Sequence, residues 1–317
     1  MRRPLALVFG GGGARGALQV GAVRALLEAG IRPDVLTGTS AGAANASYLA
    51  IHGLRLEAIE GLEKTWRIAA AADLLPANYL WLTLRVLFNR SGWGPYHRLR
   101  EFFIAQGLSP DLRFGDIQGV RLILVAADLN AGRPVFYGQD PGQLVLEGLL
   151  ASTALPPLIH PIEKGEQLLI DGSVVSNLPV EAALQQGART IIALDVSEPR
   201  VVPVPGQRFG PFLGKLTYTF EERQTDLELA LAAARGVLVH RIVLRGDVPI
   251  PVWDFSHTDE LIERGYEIAC RELARWPQER PARWQRWLGW PLFSPNRRRG
   301  GSGTHAQPVR KEMDDCG

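Results

Sequence analysis

The sequence predicts an α/β fold with a mainly parallel central sheet flanked by helices, and three observations carry that expectation. Short aliphatic runs alternate with longer stretches of helical periodicity. The runs are apolar at nearly every position, which is the pattern of strands covered on both faces. The most glycine-rich turns fall where a run gives way to a helix, as at the carboxyl ends of strands in α/β domains.

Taken in order, Leu5–Phe9 is an apolar run that stops at four glycines, and Ala14–Ala29 follows with Leu18, Val20, Val23, Leu26 and Leu27 on a helical repeat. Val35–Gly38 is the second strand, leading into the helical stretches Ala41–His52 and Arg55–Ala72. Leu122–Ala126, Leu168–Ile170, Ile191–Asp195 and Val237–Leu244 complete the strand set, with helices expected at Gln143–Ala151, Val180–Gln186 and near Leu216–Arg235. Leu261, Ile262, Tyr266, Ala269, Leu273 and Trp276 share one helical face, so His257–Trp276 reads as an amphipathic helix closing the domain. Leu74–Trp93, bracketed by prolines and glycines, reads as an insertion, and Pro199–Gly214 as an irregular connection.

These elements define one domain over residues 1–276, with its motif-bearing core at 5–195, followed by a tryptophan- and arginine-rich segment and tail at 277–317. The 317 residues suffice for a full hydrophobic core. With 35 basic against 33 acidic side chains, the net charge of +2 provides no whole-surface field for nucleic acid, and no nucleic-acid partner is expected. Only Cys270 and Cys316 are present, which excludes a disulfide scaffold and a cysteine zinc cluster. The apolar run after Met1–Pro4 is too short for a signal peptide, and no apolar window is long enough to span a bilayer, so the expectation is a cytoplasmic protein.

Three motifs carry chemistry. Gly10-Gly11-Gly12-Gly13-Ala14-Arg15-Gly16 joins the first strand to its helix, where exposed N–H groups and the helix dipole favour negative charge. Gly11-x-Gly13-x-x-Gly16 also fits dinucleotide-binding spacing, but Asp34, the only acid at a suitable distance, precedes the next strand instead of ending it. Gly38-Thr39-Ser40-Ala41-Gly42 is a G-x-S-x-G nucleophile elbow between a strand and a helix, its glycines flanking a serine on a tight turn. Leu168-Leu169-Ile170-Asp171-Gly172-Ser173 ends an apolar strand in a carboxylate, which is expected at the rim of the sheet on the edge that presents Ser40.

A nucleophilic serine needs a base. None of His52, His97, His160, His240, His257 and His305 stands in a catalytic setting, which leaves Asp171 as the best partner for Ser40. A histidine-dependent α/β-hydrolase and a non-catalytic membrane-associated scaffold remain as alternatives at this point.

The ordered motifs resemble those of the patatin-like phospholipases, serine lipid acyl hydrolases with a Ser–Asp dyad and a three-layer fold. Gly11–Gly16 resembles the family's oxyanion-hole block, Gly38–Gly42 its nucleophile block, Ala151–Pro156 its alanine-serine-proline block and Asp171–Val180 its aspartate block. Ser173 departs from the glycine or alanine usual there and adds a hydroxyl near the dyad. The resemblance implies Ser40 as nucleophile, Asp171 as base, Gly11, Gly12 and Gly13 as oxyanion donors, and Arg15, Gly16, Gly38, Gly42 and Gly172 in support. It implies a lipid acyl-ester substrate and neither metal nor organic cofactor.

Two further segments bear on lipid access. Leu74–Phe88 reads either as an apolar acyl-chain entrance or as an ordinary core helix. Between residues 271 and 299, eight arginines face Glu272 and Glu279, a local charge of +6, and Trp276, Trp284, Trp287 and Trp290 stand among them. That composition suits peripheral contact with an anionic membrane through Trp276–Arg299, the alternative being tryptophans that pack back on the domain.

Overall fold

The computed structural model describes residues 1–72, 93–156, 158–197 and 209–276. The chain runs β1 (Leu5–Phe9), α1 (Ala17–Glu28), β2 (Val35–Thr39), α2 (Ala41–His52), α3 (Leu56–Ala71), α4 (Trp93–Ala105), β3 (Arg121–Asp128) and β4 (Arg133–Tyr137). It continues through α5 (Val145–Ser152), β5 (Ile162–Lys164), β6 (Gln167–Asp171), α6 (Val180–Gln185), β7 (Thr190–Val196), α7 (Phe209–Ala234), β8 (Leu238–Leu244) and α8 (Thr258–Arg275).

Strands β3, β2, β1, β7 and β8 lie side by side in that order, all parallel. Along β1, alternation divides the core. Leu5, Leu7 and Phe9 join the larger cluster with α1, α2, α3 and α8, whereas Ala6 and Val8 join the smaller one with α6 and α7. The result is a three-layer α/β/α domain.

The two antiparallel additions position the site. β4 pairs with Leu124–Asp128 of β3, while β2 pairs with Arg121–Val125 and β6 with Ala126–Asp128. A strand has only two edges, so β2 and β6 share one edge of β3 and meet head-on: Thr39 is opposite Val125, and Asp171 is opposite the next residue, Ala126.

Three departures from the sequence reading have local causes. The strands β4 and β5 were not expected: Arg133 and Pro134 break the apolar pattern of β4, and β5 has only three residues, two of them Glu163 and Lys164. Helix α7 begins at Phe209, seven residues before the expected Leu216, and Pro211 is accommodated because first-turn N–H groups have no intrahelical acceptor. Helix α4 covers Trp93–Ala105, where no element was expected. Residues 74–88, the segment read as an acyl-chain entrance, and 277–299, most of the segment read as a membrane contact, lie outside the described residues. Trp276 does pack back, its ring 4.5 Å from that of His240. Among the described residues, no helix is long and apolar enough to cross a membrane.

Candidate active site

Ser40 occupies the turn from β2 into α2 with φ +56° and ψ −126°, the one non-glycine residue at positive φ among those described. Such a conformation costs about 1–3 kcal/mol and persists only where its surroundings fix it. Here the Ser40 carbonyl accepts from Ala43 N at 2.9 Å and Ala44 N at 3.2 Å, and the Ser40 N–H donates to Ser152 Oγ at 3.1 Å. The Ser152 hydroxyl in turn donates to the Val125 carbonyl at 2.6 Å, fastening the elbow to β3. The flanking glycines are steric necessities: a Cβ at Gly38 would lie 2.5 Å from the Gly42 carbonyl oxygen, and one at Gly42 would lie 2.4 Å from that of Phe9.

Asp171 is the last residue of β6 and is fully buried there. It ends an antiparallel strand, so register along β3, and not a parallel strand end, brings it beside Ser40. Gly172 permits the approach, since a Cβ there would lie 2.2 Å from the Val125 carbonyl oxygen. Asp171 Oδ1 accepts from Ser173 N at 2.9 Å, while Oδ2 is buried with no hydrogen-bond partner among the described residues. Burial pushes the Asp171 pKa up to about 6, and the adjacent Ser40 hydroxyl, then the Ser173 N–H and hydroxyl, act against that rise. The Ser40 hydroxyl therefore stands beside the Asp171 carboxylate, and both line the same cavity.

The glycine loop divides into anchoring and unengaged amides. Gly10 N donates to Leu194 O at 3.1 Å and Gly11 N to Asn177 O at 2.9 Å. The Gly11 N–H is therefore committed, a correction to its expected place among the oxyanion donors. The N–H groups of Gly12 and Gly13 have no intramolecular acceptor among the described residues, and neither does that of Ala41 at the start of α2. Gly13 and Ala41 line one cavity with Ser40 and Asp171. Arg15 Nε donates to Gly12 O at 3.1 Å, holding the loop from outside, and at Gly16 a Cβ would lie 2.9 Å from that of Ala41.

Beneath the loop runs a buried polar chain that the sequence reading did not find. Gln19 Nε2 donates to Gly10 O at 2.8 Å and Leu194 O at 3.2 Å, and its Oε1 accepts from Asn45 Nδ2 at 2.9 Å. Asn45 also donates to Gly16 O at 3.0 Å and accepts from Trp66 Nε1 at 2.8 Å. The available signal was a glutamine and an asparagine on otherwise apolar helical stretches. Ala41 could have been found from its position directly after the serine in the elbow.

On the opposite layer, α7 grips the segment that follows Asp171. Gln224 Nε2 donates to Val174 O at 2.6 Å, and Glu228 accepts from the Ser176 hydroxyl and, at 2.8 Å, from Glu181 N. Ser176 O accepts from Thr39 Oγ1 at 2.8 Å, so this grip extends to the residue preceding Ser40. Burial pushes the Glu228 pKa up to about 7 against the pull of these donors.

The cavity beside Ser40 and Asp171 is overwhelmingly apolar. Its walls come from Ala44, Tyr48 and Ile51 of α2, Leu62 and Trp66 of α3, and Phe102 and Phe103 of α4. Leu155, Leu158, Val252 and Phe255 complete it. At its other end stand His52, Thr65 and Gln106, with Thr65 Oγ1 donating to Gln106 Oε1 at 3.0 Å. Among the other described histidines none lines this cavity: His240 stacks on Trp276, and His257 pairs with Glu260. No group of three or more His, Cys, Asp or Glu among the described residues could hold a metal ion.

Comparison with known proteins bears on the family. Residues 7–184 match the family described as Patatin-like phospholipase. An uncharacterized NTE family protein of Mycobacterium bovis is 31% identical over 208 residues, covering 66% of this chain and 32% of that protein. Patatin-like phospholipase domain-containing protein 7 of Rattus norvegicus is 32% identical over 197 residues, 61% of this chain and 13% of that protein. The chain spans about a third or less of the length of these curated relatives. Among solved structures, human GIVD cytosolic phospholipase A2 aligns with a TM-score of 0.44 and 12% identity over 85% of this chain and 58% of that one. With the family match extending over more than half of its length, the chain belongs to the patatin-like phospholipase family.

Proposed function

We propose that this protein hydrolyses lipid acyl esters through a Ser40 acyl-enzyme, with Asp171 as its base. The observation that carries the reading is the head-on meeting of β2 and β6, which sets a strained serine beside a fully buried carboxylate in one apolar cavity. The Ser40 hydroxyl attacks the ester carbonyl as Asp171 takes its proton. The N–H groups of Gly12, Gly13 and Ala41, unengaged among the described residues, stabilise the oxyanion. Collapse of the tetrahedral intermediate breaks the ester bond, and the leaving alcohol takes the proton from Asp171. Water, deprotonated by the same carboxylate, then attacks the acyl-enzyme and releases the fatty acid while Ser40 recovers its proton.

Asp171 fits this role because its pKa of about 6 leaves it ionised near neutrality yet more basic than an exposed carboxylate. Incubating wild type and Ser40→Ala with a mixed lipid extract, with analysis of released fatty acids, tests the proposal. Release by wild type alone is expected, together with labelling of Ser40 by a fluorophosphonate. Equal release by both proteins would end the assignment.

A further inference from the structure

The cavity has a direction, and the direction defines a length. Its α2 wall is one helical face, Ser40, Ala44, Ser47, Tyr48, Ile51 and His52, so it follows the helix axis from the nucleophile to the last residue of α2. Twelve residues at ~1.5 Å rise make this run about 18 Å. That is the extended length of a myristoyl-to-palmitoyl chain. Between the two ends the facing side chains of α3 and α4 are apolar or aromatic, with Leu62, Trp66, Leu99 and Phe103 all buried. The run then meets a change of chemistry: the Thr65–Gln106 hydrogen bond and the His52 ring, which lies 4.2 Å from that of Tyr48.

We propose that this channel is an acyl-chain ruler. The acyl group of the substrate lies along α2 with its carbonyl at Ser40 and its methyl end at the Thr65–Gln106–His52 rim, which makes single long-chain acyl groups of myristoyl-to-palmitoyl length the preferred class. The inference rests on the serine-hydrolase reading and adds to it a specificity with an upper end. Each methylene that enters the apolar run leaves water, whereas one reaching past the rim meets polar groups and gains nothing further. Selectivity should therefore rise by about fourfold per methylene, as expected for full burial of a CH₂, and stop rising at the rim.

The test is kcat/KM for p-nitrophenyl esters from butyrate to stearate, each below its micelle-forming concentration, with wild type, Ala44→Phe and Gln106→Leu. Wild type is expected to climb to myristate or palmitate and then level off. Ala44→Phe places a ring across the channel one turn from Ser40 and should lower the palmitate-to-butyrate ratio by about tenfold or more. Gln106→Leu should move the plateau to longer chains, since it replaces the polar rim by an apolar one. A flat profile in wild type, or equal losses on all esters in Ala44→Phe together with an unmoved plateau in Gln106→Leu, would overturn the ruler while leaving the hydrolase reading intact. Absence of Ser40-dependent turnover on butyrate would overturn that reading, and the ruler with it.

Discussion

The floor and the walls of the cavity are built by different means. The floor, comprising the glycine loop, the elbow and the start of the Asp171 segment, is fixed by backbone atoms in close approach, with glycine the only residue that fits at Gly38, Gly42 and Gly172. The walls, from α2, α3 and α4, are ordinary helical side chains held by mutual burial. A single added carbon breaks the floor, whereas the walls tolerate exchange of one apolar residue for another of similar volume. On the proposed function, chemistry that needs atoms placed to fractions of an ångström would rest on the rigid part, and selection among substrates on the part that can be reshaped.

The largest expected effects test the floor. Ser40→Ala and Asp171→Asn should each lower turnover on the order of 10⁴-fold, and the double variant should be scarcely worse than either single one, because the two residues act as a unit. Steady-state kinetics on a short ester checks this, and Asp171→Asn with near wild-type turnover would remove the base. Next in size, Gly12→Val or Gly13→Val should cost roughly 10²–10³-fold in turnover through the displaced oxyanion donors. At Gly12 the new Cβ would also lie 2.7 Å from Val196 Cγ1. Activity within twofold of wild type in both variants would place the oxyanion site elsewhere.

The pH dependence sharpens the comparison further. As the proposed base, Asp171 would have to be ionised to act, so kcat/KM should rise with pH through about 6. Stability should run the other way: a carboxyl whose folded pKa is raised binds its proton more tightly in the folded state, which stabilises the fold at low pH and is lost as pH climbs. For Asp171 that loss spans about 4 to 6, and for Glu228 about 4.5 to 7. Thermal melts of wild type and Glu228→Gln between pH 4.5 and 8 check this. The wild-type Tm should fall with pH and the variant's should fall less, whereas parallel curves would mean that Glu228 does not titrate in this range.

The walls should respond more mildly. Leu62→Ala, a truncation of a side chain only 2% exposed, is expected to cost about 2–5 kcal/mol of stability, read by denaturant unfolding, while leaving the pH of half-maximal activity in place. The smallest effect is expected at Ser173. Its hydroxyl helps hold the Asp171 pKa down, so Ser173→Ala should move the acid limb of the pH profile upward by a fraction of a unit.

The same contrast explains what could be read from the sequence. The parallel strands, their helices and the three floor motifs were legible because buried parallel strands demand unbroken apolar runs and tight backbone approach demands glycine, both local in the chain. The level at which Asp171 meets Ser40 was not legible, since it depends on two strands from distant parts of the chain sharing an edge of β3. Nor could the commitment of the Gly11 amide to Asn177 be seen, a bond between residues more than 160 positions apart. The walls were hidden for the opposite reason: Leu62, Leu99 and Phe103 have the spacing of any core-facing helix, and nothing in their order says that a channel runs between them.

Trp66 joins these two parts, its indole N–H on Asn45 at the edge of the floor and its ring on the cavity wall, 5.8 Å from Phe255. Indole emission depends on the polarity around the ring and on the partner of its N–H. An alkyl chain sliding along α2 would therefore alter the light that this tryptophan emits, and the difference between wild type and Trp66→Phe would isolate its signal from the other seven. If the channel holds an acyl chain as proposed, Trp66 is an intrinsic optical gauge of its occupancy, placed where the glycine loop and the cavity wall are read from one chromophore.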